Sequence, residues 1–346
     1  MTSRIPKRGR LRPETRLRRA GFDGGCGGHM ISFDTDGLRP HERFDHWCEV
    51  RAKGLFGVTI EVPRERRPDF HGRFSSYQMG GATVADMRAS SYHASRTWAD
   101  IKRMPGNSLY ICQQVRGPGV LRAGVERLHT IANGTMTITH SDVPFEGIPR
   151  YSGDFHFLAL KIPVAGDERL AAGAENLAGE PLLPEIPVAK LIEATFAAIV
   201  AQRIEAADAD ATIRHIAQLA LLARGRAMPG TPESRSAVRH GYLHLALALV
   251  RSHLLRPDLS PAQVARTMDI SVRQLHLLFE PTGQSFSRKL LAMRLAEARR
   301  QLETAPLRSI TETALACGFD SLATFYRTFR QAYGMAPGDL RRDLRR

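Results

Sequence analysis

Four cysteines in 346 residues, Cys26, Cys48, Cys112 and Cys317, stand far apart and form no Cys-x-x-Cys pair. That scarcity excludes a zinc ribbon and a secreted disulfide scaffold, and it fits a reducing cytoplasm. No run of eighteen apolar residues occurs, and the basic N-terminus leads into Asp23, Gly24 and Gly25 without the apolar core of a secretory signal. The expectation is a protein that neither spans nor crosses a membrane. Metal and nucleophile patterns are also missing. No His-x-His occurs, although a metal-dependent enzyme of that kind needs three or four ligands converging on one ion. His41 and His46 are five apart, one too many for a zinc-protease helix, and His240 and His244 are four apart without a general-base Glu, so that pair reads as an exposed helix face. There is no Gly-x-Ser-x-Gly elbow and no phosphate-cradling glycine loop, and Cys317 falls on an apolar helix face as a buried structural thiol. Neither an enzyme nor a metal or cofactor is expected.

An apolar fraction of 43% with 24% charged residues is enough to bury ordinary cores, and the length suits two folded units. The net charge of +14 is unevenly placed: +6 in residues 1–28, +1 in 29–245 and +7 in 246–346. A neutral body with a basic final hundred residues points to a polyanion partner, against the plainer account of a basic surface kept for solubility.

Residues 1–28 hold eight basic residues followed by Gly24, Gly25, Gly27 and Gly28, a composition that buries no core and reads as disordered. Two accounts stay open for 1–29: a basic arm that touches nucleic acid, or a non-native extension, since Met30 directly precedes the first segment that reads as folded. From Phe44 to Lys161 short alternating stretches are broken by turn residues: 57–62, 70–79, 83–87, 108–115, 135–140 and 155–162. The period of two, clearest after the Asn133-Gly134 turn signal, predicts a β sandwich or barrel. Trp98, Tyr110, Phe145 and Phe157 are candidates to line a ligand cavity in it, or to fill its core. After Pro187 the spacing turns helical in 188–204 and 211–224, a helical hairpin, and the breaker-rich stretch 228–235 reads as a linker.

The last domain carries an internal near-repeat. Ser260 and Pro261 open a helix that ends at Asp269 and Ile270, and Ser271 then caps Val272 to Phe279, with Leu275, Leu278 and Phe279 inward and Arg273, Gln274 and His276 outward. The second copy opens at Ser309, turns at Gly318 and Phe319, and caps again at Ser321, with Phe325, Thr328 and Phe329 inward. Ala265 and Ala314 are offset by 49 residues but Ser271 and Ser321 by 50, so one residue is inserted in the second turn. Helix, short turn, helix with a small residue at the crossing is the helix-turn-helix layout. Two in tandem, joined by 287–303 with Leu291, Leu295, Ala298 and Leu302 on one face, argue against a plain helical bundle.

The stretch Leu259 to Arg341, with ISVRQLHLLF, RLAEARRQLE, ITETALACGF and FYRTFRQAYGMAPGDLR, resembles the DNA-binding domain of the AraC/XylS family of transcription regulators. That resemblance implies seven helices, two of which enter successive major grooves with centres about 34 Å apart. The chain departs from the family pattern at Leu277, where an Arg is common, at Phe286, in place of Pro, and at Asp269, in place of Gly. Residues from Arg43 to about Pro163 resemble, more weakly, the AraC-binding-like sensory domains, which implies a cupin-like β-barrel followed by helices used in dimer contact.

The expected protein is α+β: an N-terminal cupin-like β-barrel with a helical hairpin, then an all-α DNA-binding domain with two helix-turn-helix motifs. Its parts are 1–29 as the arm or extension, 30–227 for ligand sensing and dimerisation, 228–235 as linker and 236–346 for DNA binding. The expected DNA-binding residues are Arg273, Gln274 and His276 on the first recognition helix, and Ser321, Thr324, Tyr326 and Arg327 on the second. Arg327 leads because the family usually has Arg there and a guanidinium can grip guanine O6 and N7 or a phosphate. Expected partners are double-stranded DNA, an unidentified small-molecule effector, a second copy of the chain in a homodimer, and RNA polymerase if the protein activates; the place is the cytoplasm, on the nucleoid. The rivals are a sequence-neutral DNA-coating protein and a cupin-like enzyme with a basic helical tail.

Overall fold

The computed structural model describes residues 31–49, 57–124, 127–304 and 308–343, so the expectation for residues 1–29 lies outside the described residues. By contacts the chain divides into two units, the first running to Pro181 and including Glu205–Ala207, the second comprising Leu182–Ile204 and everything from Asp208 onward.

The first unit runs β1 (Ile31–Asp34), α1 (Pro40–Trp47), β2 (Thr59–Glu61), β3 (Gly72–Met79), β4 (Ala82–Ser90), β5 (His93–Arg96), α2 (Trp98–Arg103), β6 (Ser108–Arg116), β7 (Gly119–Ala123), β8 (Arg127–Ile131), β9 (Met136–His140), β10 (Phe145–Pro149), β11 (Asp154–Pro163), α3 (Glu168–Ala174) and β12 (Glu180–Pro181). The strands form two sheets, one in the order β1-β3-β4-β11-β6-β9-β12 and the other β2-β5-β10-β7-β8. Every pairing is antiparallel, including the long β4–β11 ladder from Asp154 opposite Ser90 to Lys161 opposite Thr83. All six stretches read from alternation are strands. Six others, β1, β5, β7, β8, β10 and β12, escaped that reading because they are only two to five residues long, and all but β1 carry Arg, His, Glu, Gly or Pro among those few positions. Their place is decided by pairing across the sheet, as where Phe145–Pro149 lies against Ala123–Gly119.

Phe44 and Trp47 of α1 belong to one apolar core, packed on Phe70 at 5.4 and 5.8 Å between ring centroids, with Phe74, Met87 and Tyr92. Trp98 is neither core nor cavity wall. It starts α2 behind the Thr97 cap with 68% of its surface exposed, so its place among the cavity candidates is corrected.

The second unit is helical: α4 (Ala189–Val200), α5 (Ala209–Ala223), α6 (Pro232–Ser252), α7 (Pro261–Thr267), α8 (Val272–Phe279), α9 (Phe286–Thr304), α10 (Ile310–Ala316), α11 (Leu322–Tyr333) and α12 (Pro337–Asp343). The first helix of the hairpin, read at 188–204, ends earlier, at Val200, and Gln202 beyond it adopts φ 52°. The apolar stripes of α4 and α5 are already buried in the single chain, at Leu191, Phe196, Ile199, Ile213, Ile216 and Leu219 among others. A helix starts inside the stretch read as linker, where Thr231 caps α6 and Pro232 takes its first position. α6 lies against α4 and α5 so closely that a Cβ on Gly241 would come 2.8 Å from Leu191 Cβ. The far end of α6 then supplies Ala246 and Val250 to the next core. No helix among the described residues is long and apolar enough to cross a membrane.

Candidate functional site

Two short surface helices, α8 and α11, are held by equivalent devices. Ser260 and Ser309 each cap the first helix of a pair through a reciprocal box, with Gln263 and Glu312 reaching back to the cap N–H. Each first helix ends in a left-handed residue: Asp269 at φ 53° and Gly318 at φ 80°. The next N–H closes the turn on a buried alanine carbonyl, Ile270 N to Ala265 O at 3.0 Å and Phe319 N to Ala314 O at 3.1 Å. Asp therefore keeps the turn that Gly makes elsewhere, as its tolerance of the left-handed region allows. At Gly318 space is also tight, because a Cβ would meet Arg294 Nε at 3.0 Å and Leu255 O at 3.1 Å.

The two pairs rest on separate cores joined by α9. Phe286 and Leu290 of its first half pack with Leu275, Leu278 and Phe279, and the Phe286 ring stands edge-on to Phe279 at 5.6 Å. The Phe that departs from the family pattern is thus a core residue that opens α9. Leu295, Ala298 and Leu302 of the second half pack with Ala314, Cys317, Phe325 and Phe329. Cys317 is buried as expected, and burial pushes its thiol up to about 11. The 19 residues of α9 make a strut about 28 Å long.

Of the expected DNA-binding residues, Arg273, His276, Tyr326 and Arg327 are exposed on the outer faces of α8 and α11. Gln274 is exposed but already employed, since its Oε1 accepts from Ser271 N at 2.8 Å while its own N–H donates to Ser271 Oγ at 3.1 Å. The Ser321 hydroxyl caps α11 by accepting from Thr324 N at 3.3 Å, and Thr324 is half-buried. Arg330, exposed in the last turn of α11 three residues beyond Arg327, was missed. The repeat itself carried the signal: at the offset of 50, Arg327 and Arg330 align with Leu277 and Glu280. The outer face of α11 therefore carries two cations where the matching positions are an apolar group on α8 and an acid just past its end. Leu277 is 38% exposed, and its carbonyl accepts from Arg239 Nη2 at 2.5 Å.

In the first unit a cavity of about 260 Å³ is lined from both sheets, by Phe74, Tyr110, Phe145, Phe157, Leu121 and Ile131 among others. Three of the four aromatics read from the sequence thus line a cavity. Cys112, also on its wall, is a fully buried thiol pushed up to about 12 by desolvation.

A third cluster corrects a sequence expectation. His240 and His244 of α6 do not form an exposed helix face: His244 is 6% exposed, and the His240 ring lies between those of His215 of α5 and His244, at centroid separations of 4.4 and 4.6 Å. Burial holds His240 down to about 4 and His244 down to about 3. Among the described residues no group of three or more His, Cys, Asp or Glu is placed to hold a metal ion.

A profile of the AraC-binding-like domain matches residues 47–255, well over half of the chain, and a helix-turn-helix domain profile matches 264–343. The chain belongs to the AraC/XylS family of transcription regulators. It is 38% identical over 121 residues to the HTH-type transcriptional regulator GlxA of Rhizobium meliloti (strain 1021), covering 34% of this chain and 37% of that protein. It is 22% identical over 324 residues to the transcriptional activator NphR of Rhodococcus sp, covering 91% of this chain and 93% of that one. The crystal structure of the AraC-like transcriptional activator CuxR superposes with a TM-score of 0.45 at 20% identity, covering 78% of this chain and 96% of that one. The match to GlxA thus spans little more than a third of that relative's length.

Proposed function

We propose that the protein is a sequence-specific, effector-responsive regulator of transcription that reads two successive major-groove segments of double-stranded DNA with α8 and α11. One observation carries this reading: two capped helices with exposed polar faces stand on separate cores at the two ends of one helical strut. Arg and Lys contacts to phosphate supply salt-dependent affinity, and a few side chains on each helix supply discrimination. Arg273, His276, Tyr326 and Arg327 make the outward contacts, Arg330 adds to them, and Ser321, Thr324 and Gln274 act chiefly by holding the helix starts. The barrel cavity takes the effector.

In this reading residues 30–227 sense and 236–346 bind DNA. The helix pair α4 and α5 packs on α6, which also feeds the first helix-turn-helix core, so a change in the pair reaches α8 without a flexible joint between. The protein acts as a homodimer in the cytoplasm, on the nucleoid. The relative aligned over nearly the whole chain is named an activator, which favours activation and hence contact with RNA polymerase.

Footprinting of the whole chain on genomic fragments tests the reading. A bounded site of two adjacent major-groove segments supports it, and uniform protection replaces it with a sequence-neutral coating protein. Turnover of a small molecule would instead favour a barrel enzyme.

A further inference from the structure

The chemical class of the effector follows from the charge of the cavity, an inference that rests on the regulator reading above. Among the described residues on its wall only Arg96 carries a formal charge. That guanidinium is already committed. Its Nε donates to Ser141 O at 2.8 Å, Nη1 to Gly57 O at 2.7 Å, and Nη2 to both Met104 O at 2.7 Å and Asp142 Oδ1 at 3.2 Å. Asp142, its counter-charge, is fixed in turn by the N–H groups of Gly106 and Asn107 at 2.7 and 2.9 Å. Arg96 is thus a structural rivet between loops, 4% exposed, with its charge matched.

The remaining polar groups on the wall are neutral. His140 accepts from Asp142 N through Nδ1 at 3.2 Å, which leaves the proton of the neutral ring on Nε2, and burial disfavours its charged form. Cys112 stays a thiol, and Thr137, Thr139 and Gln114 are uncharged. The same wall carries the aromatic rings of Phe74, Tyr92, Tyr110, Phe145, Phe155 and Phe157. A carboxylate entering this space would find no unspent cation and would lose its hydration, whereas an uncharged ring would find faces and edges to pack on. The cavity of about 260 Å³ is less than twice one that an apolar interior of about 150 Å³ offers to benzene.

We propose that the effector is a neutral, mainly apolar aromatic molecule of one or two rings, carrying at most a hydroxyl-type group, and that anionic aromatics and sugars are rejected.

The test uses the whole chain at pH 7.5 with the neutral two-ring fluorophore 6-propionyl-2-(dimethylamino)naphthalene, displaced by matched pairs: 4-methylphenol against 4-methylbenzoate, 2-naphthol against 2-naphthoate, and arabinose as a sugar. The expected result is displacement by each neutral partner at least tenfold tighter than by its carboxylate, and none by arabinose. Ala159→Phe, which fills the wall beside Phe157, should abolish binding of the fluorophore while the footprint on DNA persists. Equal or tighter binding of the carboxylates, displacement by arabinose, or binding of the fluorophore unchanged in Ala159→Phe overturns the proposal. Each of those outcomes with the bounded footprint retained leaves the regulator reading standing, whereas loss of a bounded footprint in the unaltered chain strikes that reading and not the ligand preference.

Discussion

The Nε2 atoms of His240 and His244 lie 2.9 Å apart, and Thr212 Oγ1 stands 3.2 Å from the same His240 nitrogen. One imidazole therefore donates and the other accepts, so the pair is sound only while at least one ring stays neutral. Protonating both would set two N–H groups face to face beside Arg251 and His215, which already press His244 downward after burial itself, with only Asp208 pulling His240 the other way.

Acid should loosen the α4–α6 layer before neutral pH does anything to it. Both folded values lie below the ordinary 6.5, so stability is fully present above that value and is lost as pH falls toward 4 and then 3. The slope reaches at most about 1.4 kcal/mol per pH unit for each histidine. Urea midpoints measured between pH 7.5 and 5 should drop accordingly, and His244→Leu should flatten the profile. A midpoint independent of pH over that span would show that the rings do not titrate with unfolding.

The two surface helices should contribute unequally. Arg327 sits on a face with a second cation, Arg330, while Arg273 shares its helix with exposed Leu277. Arg327→Ala should cost about 1–3 kcal/mol on the specific site and relax preference at one base pair. Arg273→Ala should weaken related sites alike, with a shallower salt dependence. Reversal of the two patterns in competition binding would exchange the roles assigned here.

Ser321 separates capping from reading. Its hydroxyl accepts the Thr324 N–H at the start of α11, so Ser321→Ala should lower stability by about 1 kcal/mol and leave base preference unaltered. A changed preference at unchanged melting temperature would make Ser321 a reader of DNA.

The turn residues should respond in opposite directions. Asp269→Gly relieves a left-handed non-glycine position at φ 53° and should stabilise by about 0.5–1 kcal/mol. Gly318→Ala adds both the backbone strain at φ 80° and the contacts with Arg294 and Leu255, and should destabilise by more than about 1 kcal/mol. Thermal denaturation of the two variants beside the parent checks both signs.

Local rules carried the sequence a long way in the final hundred residues. Serine caps, a left-handed turn and inward residues every three or four positions act within ten residues of chain, so Ser271, Asp269, Leu275 and Phe325 announced both helix pairs, and the repeat announced their equivalence. The period of two likewise marked the long strands such as β11 and β6. Tertiary structure alone decided the rest. The short strands β7, β8 and β10 acquire their identity from partners across the sheet. Trp98 and His244 went opposite ways from their residue types, the aromatic to solvent and the imidazole inside. Which cation on a wall is spent, as Arg96 is on Asp142 and three carbonyls, depends on loops up to 46 residues away in the chain. Burial and charge pairing are sums over distant neighbours, and no local pattern of residues encodes such a sum.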